Sequence, residues 1–455
     1  MTSRAARWRL ALTVATVAAS ILTLGACAED EQPLTAPRSA QLEKGTLAGA
    51  TVITVTNTRG TRETGSLRWA VSQTTGGETI KFDPRIAGGT ILLDSTIYIT
   101  HPITIEADSV RGMTLSGGGA RRVIDSFLIS KGTVTLRNLT ITGGRLVEGG
   151  GGAGIRGNPG VALRIEHSTF HANEASAAPA ILALGPLYMD NSTVSNNKAT
   201  SYGYAAITAG VGAWVLNSTI ANNPQGGIEF SEFAPSQMAN TIVANNGLYF
   251  FNCQRAHDLI HGGLNVVNDF SCGDSTNISN LIIGDPQLAP LADNGGPTLT
   301  HAVTRQSLAY NASAATGCEN LVDQRWKRRD TYCDVGSFEV DPTKVTLTID
   351  PNVKVDGTTG RALMTGTVTC SRVDTFQLAT ELHQSQKSGR QVVDVHAAST
   401  GPVTCGTTST AWSQQMVLTD GAWQSGAGQA TAQTYQVPPS VSPAFVAAAV
   451  KIARK

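Results

Sequence analysis

At 455 residues the chain is too long for one compact core, and its 34 Lys plus Arg balance 34 Asp plus Glu, so no global field exists to gather a polyanion. Nucleic acid is therefore not an expected partner. With 47 glycines, 5% aromatic and 15% charged residues, the composition suits short strands joined by tight turns and disfavours helical bundles.

The chain opens with a basic segment carrying Arg4, Arg7 and Arg9, followed by an apolar run from Leu10 to Leu24 that is short for a membrane span. This pattern is that of a signal peptide over residues 1–26. Its end, Leu24-Gly25-Ala26-Cys27, resembles the lipobox of bacterial lipoproteins, in which the thiol is acylated and the chain is cut before it. The resemblance implies an exported protein lipid-anchored through Cys27 to a bacterial membrane, at the cell surface or outer membrane. Ala28 follows Cys27, so the Asp that retains such proteins at the inner membrane is absent. Residues 27–50, polar and containing Pro33 and Pro37, read as a flexible tether.

A β-helix domain is expected over 51–340. The segment Ser66 to Val71 has an amphipathic helical pattern and is placed to cover the open apolar end of a first coil. Strands follow at Thr79–Phe82, Thr90–Leu93, Ile97–Ile99, Ile103–Ile105, Met113–Leu115 and Val123–Ile129.

Five segments then fall into register: Asn138-Leu139-Thr140-Ile141, His167-Ser168-Thr169-Phe170, Asn191-Ser192-Thr193-Val194, Asn217-Ser218-Thr219-Ile220 and Asn240-Thr241-Ile242-Val243, spaced by 29, 24, 26 and 23 residues. A second asparagine follows in four of them, at Asn173, Asn197, Asn223 and Asn246, with Gly144 in that place in the first. A period of this size without helical pattern indicates one turn of a β-solenoid per repeat, coils stacking at about 4.8 Å. Val134, Leu136, Leu163 and Ile165 should face inward before the bend. Ile141, Phe170, Val194, Ile220 and Val243 should form an apolar column after it, with Thr140, Thr169 and Thr193 outside. The opening Asn is expected to build an amide ladder at the bend, with His167 standing in for it as a structural residue.

Outward positions before the bend form two columns. One reads Thr135, Arg164, Tyr188, Trp214, Gln237 and the other Arg137, Glu166, Asp190, Leu216, Ala239. Tyr188 and Trp214 on successive coils suggest a platform for sugar rings, with Arg164, Glu166 and Asp190 available to hydroxyls. Glu166 and Asp190, about 5 Å apart on neighbouring coils, are also candidate acid and base, or ligands for Ca²⁺, in a polysaccharide lyase or glycoside hydrolase acting on an acidic polymer. Arg137 and Arg164 stand ready to neutralise them, so the reading leans away from catalysis. Gly152-Ala153-Gly154-Ile155-Arg156-Gly157 matches GxGxxG but lacks the strand and helix a nucleotide site requires, and is read as a loop.

The end of this region carries Gly263-Leu264-Asn265, Asp285-Pro286, Leu288-Ala289-Pro290-Leu291, Asp293-Asn294-Gly295-Gly296-Pro297-Thr298, Asp323-Gln324-Arg325 and Cys333-Asp334-Val335-Gly336-Ser337-Phe338-Glu339. With Gly65 to Ala70, Thr79 to Asp83 and the Asn repeats, the stretch from about Val52 to Glu339 resembles the pectin-lyase-like β-helix superfamily. Within it, the chain is similar to the bacterial surface proteins called choice-of-anchor Q. That likeness implies a right-handed parallel β-helix at the cell surface and says less about activity. Trp326 departs from the family, which continues with Gly after Asp-Gln-Arg. The two Asp-rich clusters of pectate lyases and polygalacturonases are missing. Asp323, Arg325 and Arg328 are expected to pair structurally around an end cap.

From 341 to 455 the segments Val345–Ile349, Ala362–Cys370, Phe376–Ala379, Gln391–Val395 and Gln414–Leu418 alternate like antiparallel strands, predicting a small immunoglobulin-like β-sandwich. With Cys27 lipidated, six cysteines remain, and sequence proximity pairs Cys253 with Cys272, Cys318 with Cys333 and Cys370 with Cys405. No cysteine–histidine cluster argues for a metal or resident cofactor, Ca²⁺ excepted. The sequence thus predicts a monomeric scaffold that binds carbohydrate or another cell-surface component.

Overall fold

The computed structural model describes residues 51–146, 149–247, 252–256, 258–273, 280–315, 320–330, 332–418, 421–435 and 441–454. All belong to one compact unit, Ala36–Lys455. The signal peptide, the lipidation site Cys27, the tether and Cys318 lie outside the described residues.

Three parallel sheets wind into a solenoid. Among the described residues and in coil order, sheet A has nine strands, from Val52–Val55 to Leu259–His261; sheet B has nine, from Thr90–Leu92 to Leu281–Ile283; sheet C has seven, from Ile97–Tyr98 to Cys253–Gln254. The expected registers hold, with Thr135, Arg164, Tyr188, Trp214 and Gln237 consecutive partners in sheet A. Val134, Leu136, Leu163 and Ile165 fill the interior, as does the column Ile141, Phe170, Val194, Ile220 and Val243. Each such side chain contributes about 1.5–3 kcal/mol on burial. The helix Leu67–Ser72, capped by Ser66, buries Leu67, Ala70 and Val71 in the same core beside the first strand.

Both bends use asparagine, for different reasons. Between sheets A and B, Asn138, His167, Asn191, Asn217 and Asn240 adopt positive φ of 45–58°, the left-handed conformation that Asn tolerates best after Gly. Their side chains do not form the expected ladder: Asn138 donates to Ala107 O at 2.9 Å and Asn217 to Asp190 Oδ1 at 3.2 Å. The ladder lies at the next corner. There Asn173 Nδ2 donates to Asn197 Oδ1 (2.9 Å), Asn197 to Asn223 (3.1 Å), Asn223 to Asn246 (2.9 Å) and Asn246 to Asn252 (3.0 Å). A second ladder runs beside the first bend, where Ser168 N donates to Ser192 Oγ, Ser192 N to Ser218 Oγ and Ser218 N to Thr241 Oγ1, at 3.2–3.3 Å. These hydroxyls satisfy backbone donors that the bends remove from the sheets.

The chain after Ile283 returns as a strap along sheet B. Thr169 donates to Leu299 O (2.6 Å), Thr193 to Gln324 Oε1 (2.7 Å), and Ser337 N to Thr219 Oγ1 (3.1 Å). Thr140, Thr169 and Thr193 do point out of the coil, yet all are buried, because the strap supplies a second wall. Asp323 pairs with Arg325 at 2.7 Å, but along this side wall and not at an end cap, and Arg329 rather than Arg328 joins the network, meeting Glu339 at 3.2 Å.

The C-terminal strands, from Val345–Leu347 to Phe445–Arg454, are all-β as expected. They hydrogen-bond into one mixed sheet whose buried faces converge on a core containing Trp412 and Trp423, in place of two separate facing sheets. Disulfides join Cys253 to Cys272 and Cys370 to Cys405.

Candidate functional site

Sheet A keeps its outer columns partly exposed, and the candidate residues Arg164, Glu166, Tyr188, Asp190 and Trp214 come together there on three adjacent strands, Val161–Glu166, Leu187–Asp190 and Ala213–Leu216. Period-2 alternation puts Leu163, Ile165, Leu187, Met189, Ala213 and Val215 inside, which forces these side chains outward.

Tyr188 and Trp214 stack with centroids 4.8 Å apart and planes 11° from parallel, and the Arg164 guanidinium lies 5.2 Å from the Tyr188 ring centre. The flat faces that the sequence offers to sugars are thus turned towards each other along the solenoid axis. What reaches solvent is a row of ring edges with Arg164 at one end and Gln237 at the other.

The second column is a ladder of alternating charge. Arg137 lies 3.2 Å from Glu106 and 2.5 Å from Glu166, and Arg164 lies 3.4 Å from the other oxygen of Glu166. Glu166 is therefore held as a paired carboxylate. Asp190 breaks the alternation and receives amide donors, Asn217 at 3.2 Å and Asn320 at 2.6 Å. Although the residue keeps some exposure, its carboxyl is desolvated. That loss of hydration pushes it up to about 6, the two amides oppose the shift and neighbouring Glu166 adds to it. Among the described residues no group of three or more His, Cys, Asp or Glu is disposed to hold a metal ion.

His167, at the bend beside Glu166, is buried against the strap. Its Nδ1 lies 3.2 Å from Gln324 O, and burial lowers it to about 4. Trp326 stacks on it, at a position where φ is 65°, and donates Nε1 to Asn138 Oδ1 at 2.9 Å. Asn320 escaped the sequence reading, since only a fold that returns the chain across sheet B brings it to a carboxylate 130 residues earlier.

Residues 125–280 match the family model of the right handed beta helix region. No curated protein matches the chain. Among solved structures, the crystal structure of the Acinetobacter phage vB_ApiP_P1 tailspike protein aligns at 12% identity over 76% of each chain, with a TM-score of 0.20, below the level of a shared arrangement. The family match over these residues and the observed winding agree on a right-handed parallel β-helix fold.

Proposed function

We propose that the solenoid is a rigid scaffold that binds carbohydrate along the exposed side of sheet A. The observation that carries this reading is the stack of Arg164, Tyr188 and Trp214, locked in place by the registers of three strands. A saccharide lying across the ring edges would bury C–H groups there while Arg164 and Gln237 meet its hydroxyls. Preorganisation by the sheet lowers the entropy cost of such weak contacts.

The chain is exported and held at a bacterial surface by acyl groups on Cys27. Support comes from the apolar leader ending in Leu24-Gly25-Ala26-Cys27 and from the disulfides Cys253–Cys272 and Cys370–Cys405, which suit an oxidising compartment. The choice-of-anchor Q assignment gains support from the strap, because its motif residues Thr298, Gln324 and Ser337 are those that grip sheet B.

Glycan-array binding by the full chain tests the scaffold reading. The double variant Y188A/W214A should lose glycan binding while keeping its strand signal in circular dichroism, and unchanged binding would remove the proposal. One observation favours a second reading: Asp190, raised to about 6, stands beside the paired carboxylate Glu166, an arrangement that splits acid from base in glycan-cleaving enzymes. Release of new reducing ends from an acidic polysaccharide by the wild type would move the assignment to that class.

A further inference from the structure

We propose that the open face of Trp326 is the stacking platform of the sheet A site, and that the ligand is an uncharged oligosaccharide of at least three sugar rings. This inference rests on the carbohydrate-binding reading above and deepens it. Tyr188 and Trp214 turn their flat faces to each other, so the stack they form offers a sugar mainly ring edges. Trp326 offers more. Its indole covers His167 on one side, with ring centres 3.9 Å apart, and donates Nε1 to Asn138 Oδ1 at 2.9 Å, yet the residue stays 41% exposed. The accessible area therefore lies on the opposite face and on the ring edge away from Nε1. A flat aromatic face of this kind packs against the C–H groups of a sugar ring.

The indole is held in place before any ligand arrives. Trp326 N donates to Asp323 O at 2.9 Å, and Asp323 Oδ1 accepts from the amides of Arg325 (2.8 Å) and Lys327 (3.0 Å). This tight turn keeps Trp326 at a φ of 65°, a strained conformation for a bulky residue, and such strain clusters at ligand sites. The edge of the strap thus walls sheet A, with Asn320 donating to Asp190 at 2.6 Å. By register His167 matches Asn191, three residues past Tyr188 on the next coil, so the strand positions of His167 and Tyr188 lie about 10 Å apart lengthwise and about 4.8 Å across. That span exceeds one sugar ring and suits a trisaccharide running from Trp326 over the Glu166–Arg164 pair to Tyr188. Charge along it is balanced. In register the second column reads Lys81, Glu106, Arg137, Glu166 and Asp190, and with Arg164 it holds three cations against three carboxylates. Arg137 and Arg164 both pair with Glu166, which leaves neither guanidinium over for a uronate or a sulfate.

A glycan array of neutral hexose and uronic-acid oligosaccharides of graded length, probed with the full chain, tests the inference. The expected result is binding of neutral oligomers from the trisaccharide upward, insensitive to salt, with W326G weaker by about tenfold and W326Y, which keeps a flat ring, within about threefold of wild type. Absence of glycan binding by the wild type would overturn the carbohydrate reading itself. Binding that Y188A/W214A abolishes and W326G leaves unchanged would overturn this inference alone, as would a preference for the uronic-acid oligomers. If a variant melts early, the wild type decides: the indole N–H signal of Trp326 should shift in NMR during titration with the best-bound oligosaccharide of the array, and no shift counts against the platform.

Discussion

Trp326 and His167 stack face to face, with ring centres 3.9 Å apart and planes 11° from parallel. Each departs from its pattern. His167 replaces the asparagine of the first bend, and Trp326 replaces the glycine that follows Asp-Gln-Arg in the family resemblance, at a φ of 65° where glycine would be unstrained. The two departures answer each other, since the indole covers the imidazole that the bend would otherwise leave against the strap.

Replacing Trp326 by Gly should therefore relieve about 1–2 kcal/mol of backbone strain while uncovering His167. Burial now lowers His167 to about 4 from an ordinary 6.5. Between those values the unfolded chain holds a proton that the folded one lacks, so stability falls as pH drops through the window. In W326G the His167 titration, followed by NMR, should move towards 6.5 and this loss in acid should shrink.

The asparagine ladder is a set of buried amides with every rung bonded to the next. N197A would leave Asn173 N without its acceptor, take one of two acceptors from Asn173 Nδ2, which keeps Ile141 O, and remove one donor from Asn223 Oδ1, so the expected cost is about 1–3 kcal/mol for each group left unsatisfied. Urea denaturation should show a lower midpoint with unchanged slope.

Glu339 ties the end of the strap, accepting from Arg329 Nη1 at 3.2 Å and from Asp334 N at 2.9 Å. Burial, reinforced by the nearby Asp334 carboxyl, raises it to about 8 from an ordinary 4.5. In that interval the folded protein keeps a proton that the unfolded chain has released, so stability is full below the interval and declines as pH rises through it. The melting temperature should fall between about pH 6.5 and 8.5, above the range where buried histidines contribute. E339Q should flatten that slope.

Asp190 separates the scaffold from the enzyme. If its carboxyl serves only to accept from Asn217 and Asn320, D190N should leave glycan binding within about twofold, since one rim hydrogen bond to a ligand is worth little. A reducing-end assay should then register no polysaccharide cleavage from wild type or variant.

What the sequence determined by itself is what the repeat states many times over. Ile141, Phe170, Val194, Ile220 and Val243 recur at one phase, and a solenoid coil can bury that phase only against its neighbours, so the stacking, both sheet A columns and the end-covering helix at Leu67 were legible. Tertiary structure decided everything that depends on a contact made once. The strap meets sheet B through pairs such as Thr193 with Gln324, separated by 131 residues, and no periodicity marks which face it will cover. The same holds for the turning of the Tyr188 and Trp214 faces towards each other, for the ladder lying at the second asparagine, and for Asn320 reaching Asp190. Repetition encodes a phase, and phase fixes which side chains point outward; it carries no record of what later folds over them.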